Sequence, residues 1–78
     1  MWSHKIKSGT LLIEKMDTYY DLRFRDPFGT TTSIFQNASE VEVLSFILTS
    51  SHIETPNGSY AFDRFEVPPV LSEWTCDS

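Results

Sequence analysis

The chain has 78 residues, of which 40% are hydrophobic, 14% aromatic and 22% charged, a composition that suits one small globular domain and excludes a disordered or low-complexity segment. Six basic residues stand against eleven acidic ones, for a net charge of −5, which argues against phosphate-driven nucleic-acid binding by clustered Lys and Arg. No run approaches the roughly 20 apolar residues of a membrane-spanning helix, and the N-terminus lacks the charged-then-apolar pattern of a signal peptide, so a cytoplasmic protein is expected.

Residues 4–7 are short enough for a leading strand before the Ser8-Gly9 break. Residues 10–16 then form a strand with Leu11 and Ile13 on one face and Leu12, Glu14 and Met16 on the other. Asp17-Thr18 makes a tight connection. The clearest strand covers 18–25, where Tyr20, Leu22 and Phe24 alternate with Tyr19, Asp21, Arg23 and Arg25. That period of two places one face in a core and the other in water. Asp26-Pro27-Phe28-Gly29 fits a type I turn, with Pro fixing φ and the Asp carboxylate able to accept from the backbone ahead. A β-branched strand over 30–36 completes an antiparallel meander; its parity stays open between Ile34 and Phe35.

Ser39 followed by Glu42 is a capping box, and Glu40 and Glu42 suit the positive end of a helix dipole. The spacing predicts a helix over 40–50. Val41, Leu44 and Leu48 share one stripe, and Val43, Phe46 and Ile47 widen it to an apolar arc of roughly 200°, more than one sheet face needs. The surplus calls for a second cover, either the C-terminal part of the chain or another copy of it. Pro56-Asn57-Gly58 closes a loop over 52–58, a strand is expected over 59–67, and Pro68-Pro69 ends it. Residues 68–78 read as a proline-initiated C-terminal tail carrying Trp74, and Trp2 is a candidate to pack beside it. Asn37-Ala38-Ser39 and Asn57-Gly58-Ser59 match the glycosylation sequon and are read as cap and turn chemistry.

The expected fold is therefore α+β: one domain over 1–78, a small antiparallel sheet of three to five strands in β-β-β-α-β order, and one helix on one face. The expected core holds Leu11, Ile13, Tyr20, Leu22, Phe24, Ile34 or Phe35, Val41, Leu44, Leu48, and Phe62 or Phe65.

Chemistry-bearing patterns are sparse. His4 and His52 have no Cys, His or Asp at metal-ligand spacing, and no CxxC, HExxH, GxGxxG or P-loop pattern occurs. No metal or cofactor is expected, an enzyme is the least favoured class, and Cys76, the single cysteine, reads as an ordinary thiol. Charge is uneven: residues 1–38 hold five cations against four carboxylates, and residues 39–78 hold Arg64 against seven carboxylates. The expectation is a non-catalytic protein-interaction module, a homodimer or a small acidic partner or inhibitor of a larger protein. Its candidate contact residues are Val43, Phe46 and Ile47 on the helix, Tyr19, Arg23 and Arg25 on the sheet, and Trp74 in the tail. An acidic docking surface would require Glu40, Glu42, Glu54, Asp63 and Glu66 to cluster. The alternative is a small nucleic-acid-binding or regulatory domain using the Arg23/Arg25 sheet face, against which stands pairing of those guanidiniums with Asp21, Glu14 or other carboxylates across the sheet.

Overall fold

Short connections set the register of the sheet. A computed structural model of the chain describes residues 1–76, and of Arg64 only the backbone; Asp77 and Ser78, the end of the expected tail, lie outside the described residues. Strands β1 (Trp2–Ile6) and β2 (Gly9–Met16) are joined by Lys7-Ser8, and β2 and β3 (Tyr19–Arg25) by Asp17-Thr18. Asp17 takes the left-handed backbone that short polar residues tolerate, with φ 61°. The β3–β4 connection is the expected turn: Gly29 N donates to Asp26 O at 3.0 Å, and Phe28 N donates to the Asp26 carboxylate at 3.0 Å. Strand β4 (Thr31–Ala38) follows.

Strands β1 to β4 form an antiparallel meander, and the chain end adds a two-residue strand, β7 (Thr75–Cys76), against Trp2 and Ser3. The five-stranded order is β4-β3-β2-β1-β7. Two bulges interrupt the β3–β4 ladder, which runs Tyr20↔Ala38, Leu22↔Phe35 and Arg23↔Ser33. Ile34 is the extra residue at the second bulge, so Ile34 and Phe35 both end half-buried. That explains why strict alternation could not choose between them.

The helix α1 (Glu40–Thr49) starts as expected, with Ser39 Oγ accepting from Glu42 N and Glu42 Oε1 accepting from Ser39 N, both at 3.1 Å. Its phase differs from the expectation. Val43 and Ile47 are the fully buried pair, whereas Val41 is 70% exposed and Leu44 and Leu48 are half-buried. The inward stripe is therefore centred on the 43/47 side of the broad apolar arc, and Val41 is not a core residue.

Residues 52–61 correct the sequence reading further. The expected loop begins with a strand, β5 (His52–Thr55), which pairs with β6 (Gly58–Ala61) as a separate hairpin. The strand expected to reach residue 67 stops at Ala61, and a 3-10 turn over Arg64–Glu66 follows. Phe62 is buried and Phe65 is 82% exposed. A second 3-10 turn, Leu71–Glu73, leads into β7. Val67, Leu71 and Trp74 enter the core, and Trp74 Nε1 donates to Pro68 O at 3.1 Å. These three side chains tie residues 67–76 to the rest of the fold. Trp2 sits against Tyr20, with ring centroids 6.0 Å apart, and the ring beside Trp74 is that of His4 at 5.7 Å.

The result is two layers. One sheet face carries Leu11, Ile13, Leu22 and Phe24, which pack with Val43, Ile47, Ile53, Phe62, Val67, Leu71 and Trp74. The opposite face presents Lys5, Thr10, Leu12, Glu14, Arg23 and Arg25, which lie directly or diagonally across from one another in the ladder.

Candidate interaction surfaces

Of the candidate contact residues on the helix, Val43 and Ile47 are core residues, each 1% exposed, and offer no docking surface. Phe46 stacks on Phe35 with ring centroids 5.5 Å apart and planes 10° apart. Trp74 is buried as well. Val43, Ile47 and Trp74 lie in the core, and Phe46 is half-buried against it.

The less covered helix side is the Val41, Leu44, Leu48 stripe, at the i, i+3, i+7 spacing of one face, with Val41 exposed and Leu44 and Leu48 half-buried. At its C-terminal end Leu48 meets Phe65, Val67 and Pro69 around an apolar hollow of about 400 Å³. Phe65 is held out by its turn rather than by lack of structure. Its N–H donates to Asp63 Oδ1 at 2.9 Å, Glu66 N donates to Asp63 O at 2.8 Å, and Asp63 N donates to Glu66 Oε1 at 3.3 Å. The other oxygen of Glu66 accepts from Lys7 N at 3.1 Å, tying this turn to the β1–β2 connection. Sequence reasoning named Phe65 only as a possible core residue; its exposure follows from the 3-10 turn that replaces the expected strand.

A larger hollow of about 570 Å³ lies between the end of α1 and the base of the β5–β6 hairpin, lined among others by Lys7, Leu48, Phe62, Asp63 and Glu66. Neither histidine lines it. His4 Nε2 faces the main-chain carbonyl of Glu66 and so acts as a donor there. His52 Nε2 lies 3.3 Å from Glu54 Oε1 on an exposed stretch of the hairpin. Among the described residues no group of three or more His, Cys, Asp or Glu is placed to hold a metal ion, and no helix is long and apolar enough to cross a membrane.

On the sheet's other face, Arg23 is committed. Its guanidinium lies 2.9 Å from Glu14 and 3.6 Å from Asp21, and Asp21 Oδ1 also accepts from Asn37 N at the bulge, at 3.2 Å. This is the cross-strand pairing that the sequence set against a phosphate-binding role. Tyr19 is exposed near the β2–β3 turn. Arg25 is exposed and carries no ion pair among the described residues. It lies across from Thr10, which lies across from Lys5. These residues, with Lys7 and the Asp26-Pro27 corner, line a third hollow of about 200 Å³.

The acidic residues named for a docking surface sit in three parts of the fold. Glu40 and Glu42 occupy the first turn of α1, Asp63 and Glu66 lie beside its far end, and Glu54 is on the hairpin. A ten-residue helix separates the first pair from the second by about 14 Å.

Asp26 joins the two hairpins. Its Oδ1 accepts from Phe28 N at 3.0 Å and Thr30 N at 2.9 Å, and its Oδ2 accepts from Asn57 Nδ2 at 2.7 Å. The Asn57 amide, then the backbone amides, hold this carboxyl below its usual 3.8 against the opposing effect of burial. Tyr60, whose ring lies 5.5 Å from that of Phe24, is pushed above its usual 10.0 by burial first and by the Asp26 charge second. Comparison with protein-family models, with curated proteins and with solved structures finds no match to the chain.

Proposed function

We propose that the protein is a non-catalytic protein-interaction module that docks through the Val41, Leu44, Leu48 side of the helix and the hollow beside Phe65. The observation that supports this reading is a phenylalanine 82% exposed on a turn fixed by three hydrogen bonds. An aromatic on a preformed turn spares the ordering of its backbone on docking, and aromatic anchors carry much of the energy of an interface. Leu48, Val67 and Pro69 surround it with apolar surface, and the Val41–Leu44 side of α1 extends that surface. The partner proposed is a different protein rather than a second copy. Val43 and Ile47, the helix residues that pairing with a second copy was to bury, already lie in the chain's own core.

The test has two parts. Light scattering across a dilution series should give the 9.0 kDa monomer mass. A photo-crosslinking phenylalanine analogue at position 65 should then form an adduct in source lysate that unlabelled wild-type chain competes away and Phe65→Glu chain does not. The same analogue at Phe28, which is 79% exposed on the β3–β4 turn, should not give that adduct. An adduct insensitive to the Phe65→Glu competitor, or identical from both positions, would refute the assignment of this face.

A further inference from the structure

Lys5, Lys7 and Arg25 line the 200 Å³ hollow at one end of the sheet, so three of the chain's six cations share one concavity in a protein of net negative charge. We propose that this hollow is a binding site for a phosphate-type oxyanion. It is independent of the Phe65 face and takes a ligand of different chemistry.

The ladder builds the site. Lys5 pairs with Thr10, and Thr10 with Arg25, so the three side chains stand in a row on the open sheet face. Neighbouring strands are about 4.8 Å apart, which puts the Lys5 and Arg25 backbones about 10 Å apart with the short Thr10 between them. Two long cationic side chains flanking a threonine can converge on a tetrahedral anion, with the Thr10 hydroxyl as a further donor. Lys7, in the turn that joins the first two of these strands, closes the hollow from one side.

The nearby carboxylates are occupied elsewhere. Asp26 directs both oxygens to Phe28 N, Thr30 N and Asn57 Nδ2. Glu66 uses one oxygen on Lys7 N and the other on Asp63 N. Glu14 and Asp21 take Arg23. Among the described residues, none of the Lys5, Lys7 and Arg25 side chains has an ion pair, so the three cations lining the hollow are available to an anion. Asp26 contributes its own negative charge at the rim of the hollow, which opposes anion binding and weakens it.

The probe is inorganic phosphate near neutral pH, followed by amide chemical shifts against sodium chloride of equal ionic strength. The expected result is saturable shifts confined to Lys5, Lys7, Gly9, Thr10 and Arg25, with affinity falling by about tenfold in the Lys5→Gln/Arg25→Gln double variant, which removes two charge-assisted contacts. Both positions are exposed, and retained spectral dispersion checks the fold; Lys7→Gln, in the turn, supplies a second variant expected to weaken binding. O-phosphoserine in a parallel titration distinguishes the source. Tighter binding than phosphate means an anion carried on an organic group, and equal or weaker binding means the free ion. Shifts that chloride reproduces at equal ionic strength, or an unchanged affinity in the double variant, would overturn the proposal.

Discussion

Asp26 shows how one side chain can hold two separate hairpins in register. Its carboxylate closes the β3–β4 turn through Phe28 N and Thr30 N and reaches the β5–β6 tip through Asn57. Because its folded pKa lies below 3.8, the carboxylate contributes stability that is present above that value and is lost as pH falls through the folded value. Asp26→Asn should therefore lower the urea midpoint near neutral pH, and the gap to wild type should close in acid. A gap that persists unchanged in acid would mean the residue acts by shape alone. Asn57→Ala should raise the Asp26 pKa, readable by carboxyl NMR titration, since Asn57 is the largest cause of the depression. Tyr60 acts at the alkaline end. Its raised pKa contributes stability that is present below 10.0 and lost as pH rises through the folded value. Gly9 is the second single residue that the fold depends on. A Cβ there would stand 2.5 Å from both Arg25 O and Phe24 Cζ, so Gly9→Ala should cost about 1–3 kcal/mol by overpacking, measured as a shift in denaturant midpoint at constant slope.

At the scale of elements, α1 separates what its sequence shows from what only packing decides. The capping box is local, so Ser39 and Glu42 announce the helix start, and Ser39→Ala should cost about 1 kcal/mol. The buried face is not local. With an apolar arc of roughly 200°, Val41, Leu44, Leu48 and Val43, Ile47 make equally coherent stripes, and the covering sheet and C-terminal segment choose the second. Ile47→Ala should accordingly cost about 2–5 kcal/mol, whereas Val41→Ala should stay within about 0.5 kcal/mol. Chemical denaturation of the two variants checks the phase directly, since the opposite stripe would invert the order. The same reasoning separates the strands. The alternation of Tyr20, Leu22 and Phe24 was legible because β3 is central and covered on one side. Ile34 and Phe35 were not, because two bulges break the period in β4. His52–Thr55 carries a single large apolar residue, Ile53, too little pattern to separate a strand from a loop. The candidate surfaces were less legible still. Phe65 is exposed by a 3-10 turn with no periodicity of its own. Lys5 and Arg25 become neighbours only through the register of three strands.

At the scale of the whole molecule, the two ends of the chain close the same side of the fold. Residues 1–76 bring β7 onto β1, place Trp74 against His4, and set Val67 and Leu71 into the core. A 78-residue chain buries only about 60% of its unfolded surface, so losing one layer of cover removes a large share of the total. If the segment after Val67 were a docking arm, its removal would leave unfolding unchanged. The packing of Trp74 demands the opposite. Trp74→Ala should cost about 3–5 kcal/mol, comparable to the whole stability of a domain of this size. Truncation after Val67 should remove Leu71 and Trp74 from the core and expose the β1 edge, and yield a chain that unfolds with a shallower denaturant slope or does not fold cooperatively. Trp74→Phe keeps most of the apolar volume and loses only the indole N–H to Pro68 O, so it should retain a cooperative transition at a lower midpoint. The ordering wild type, Trp74→Phe, Trp74→Ala in denaturant midpoint distinguishes a structural C-terminus from a mobile one, because an arm free of the core would give three coincident curves.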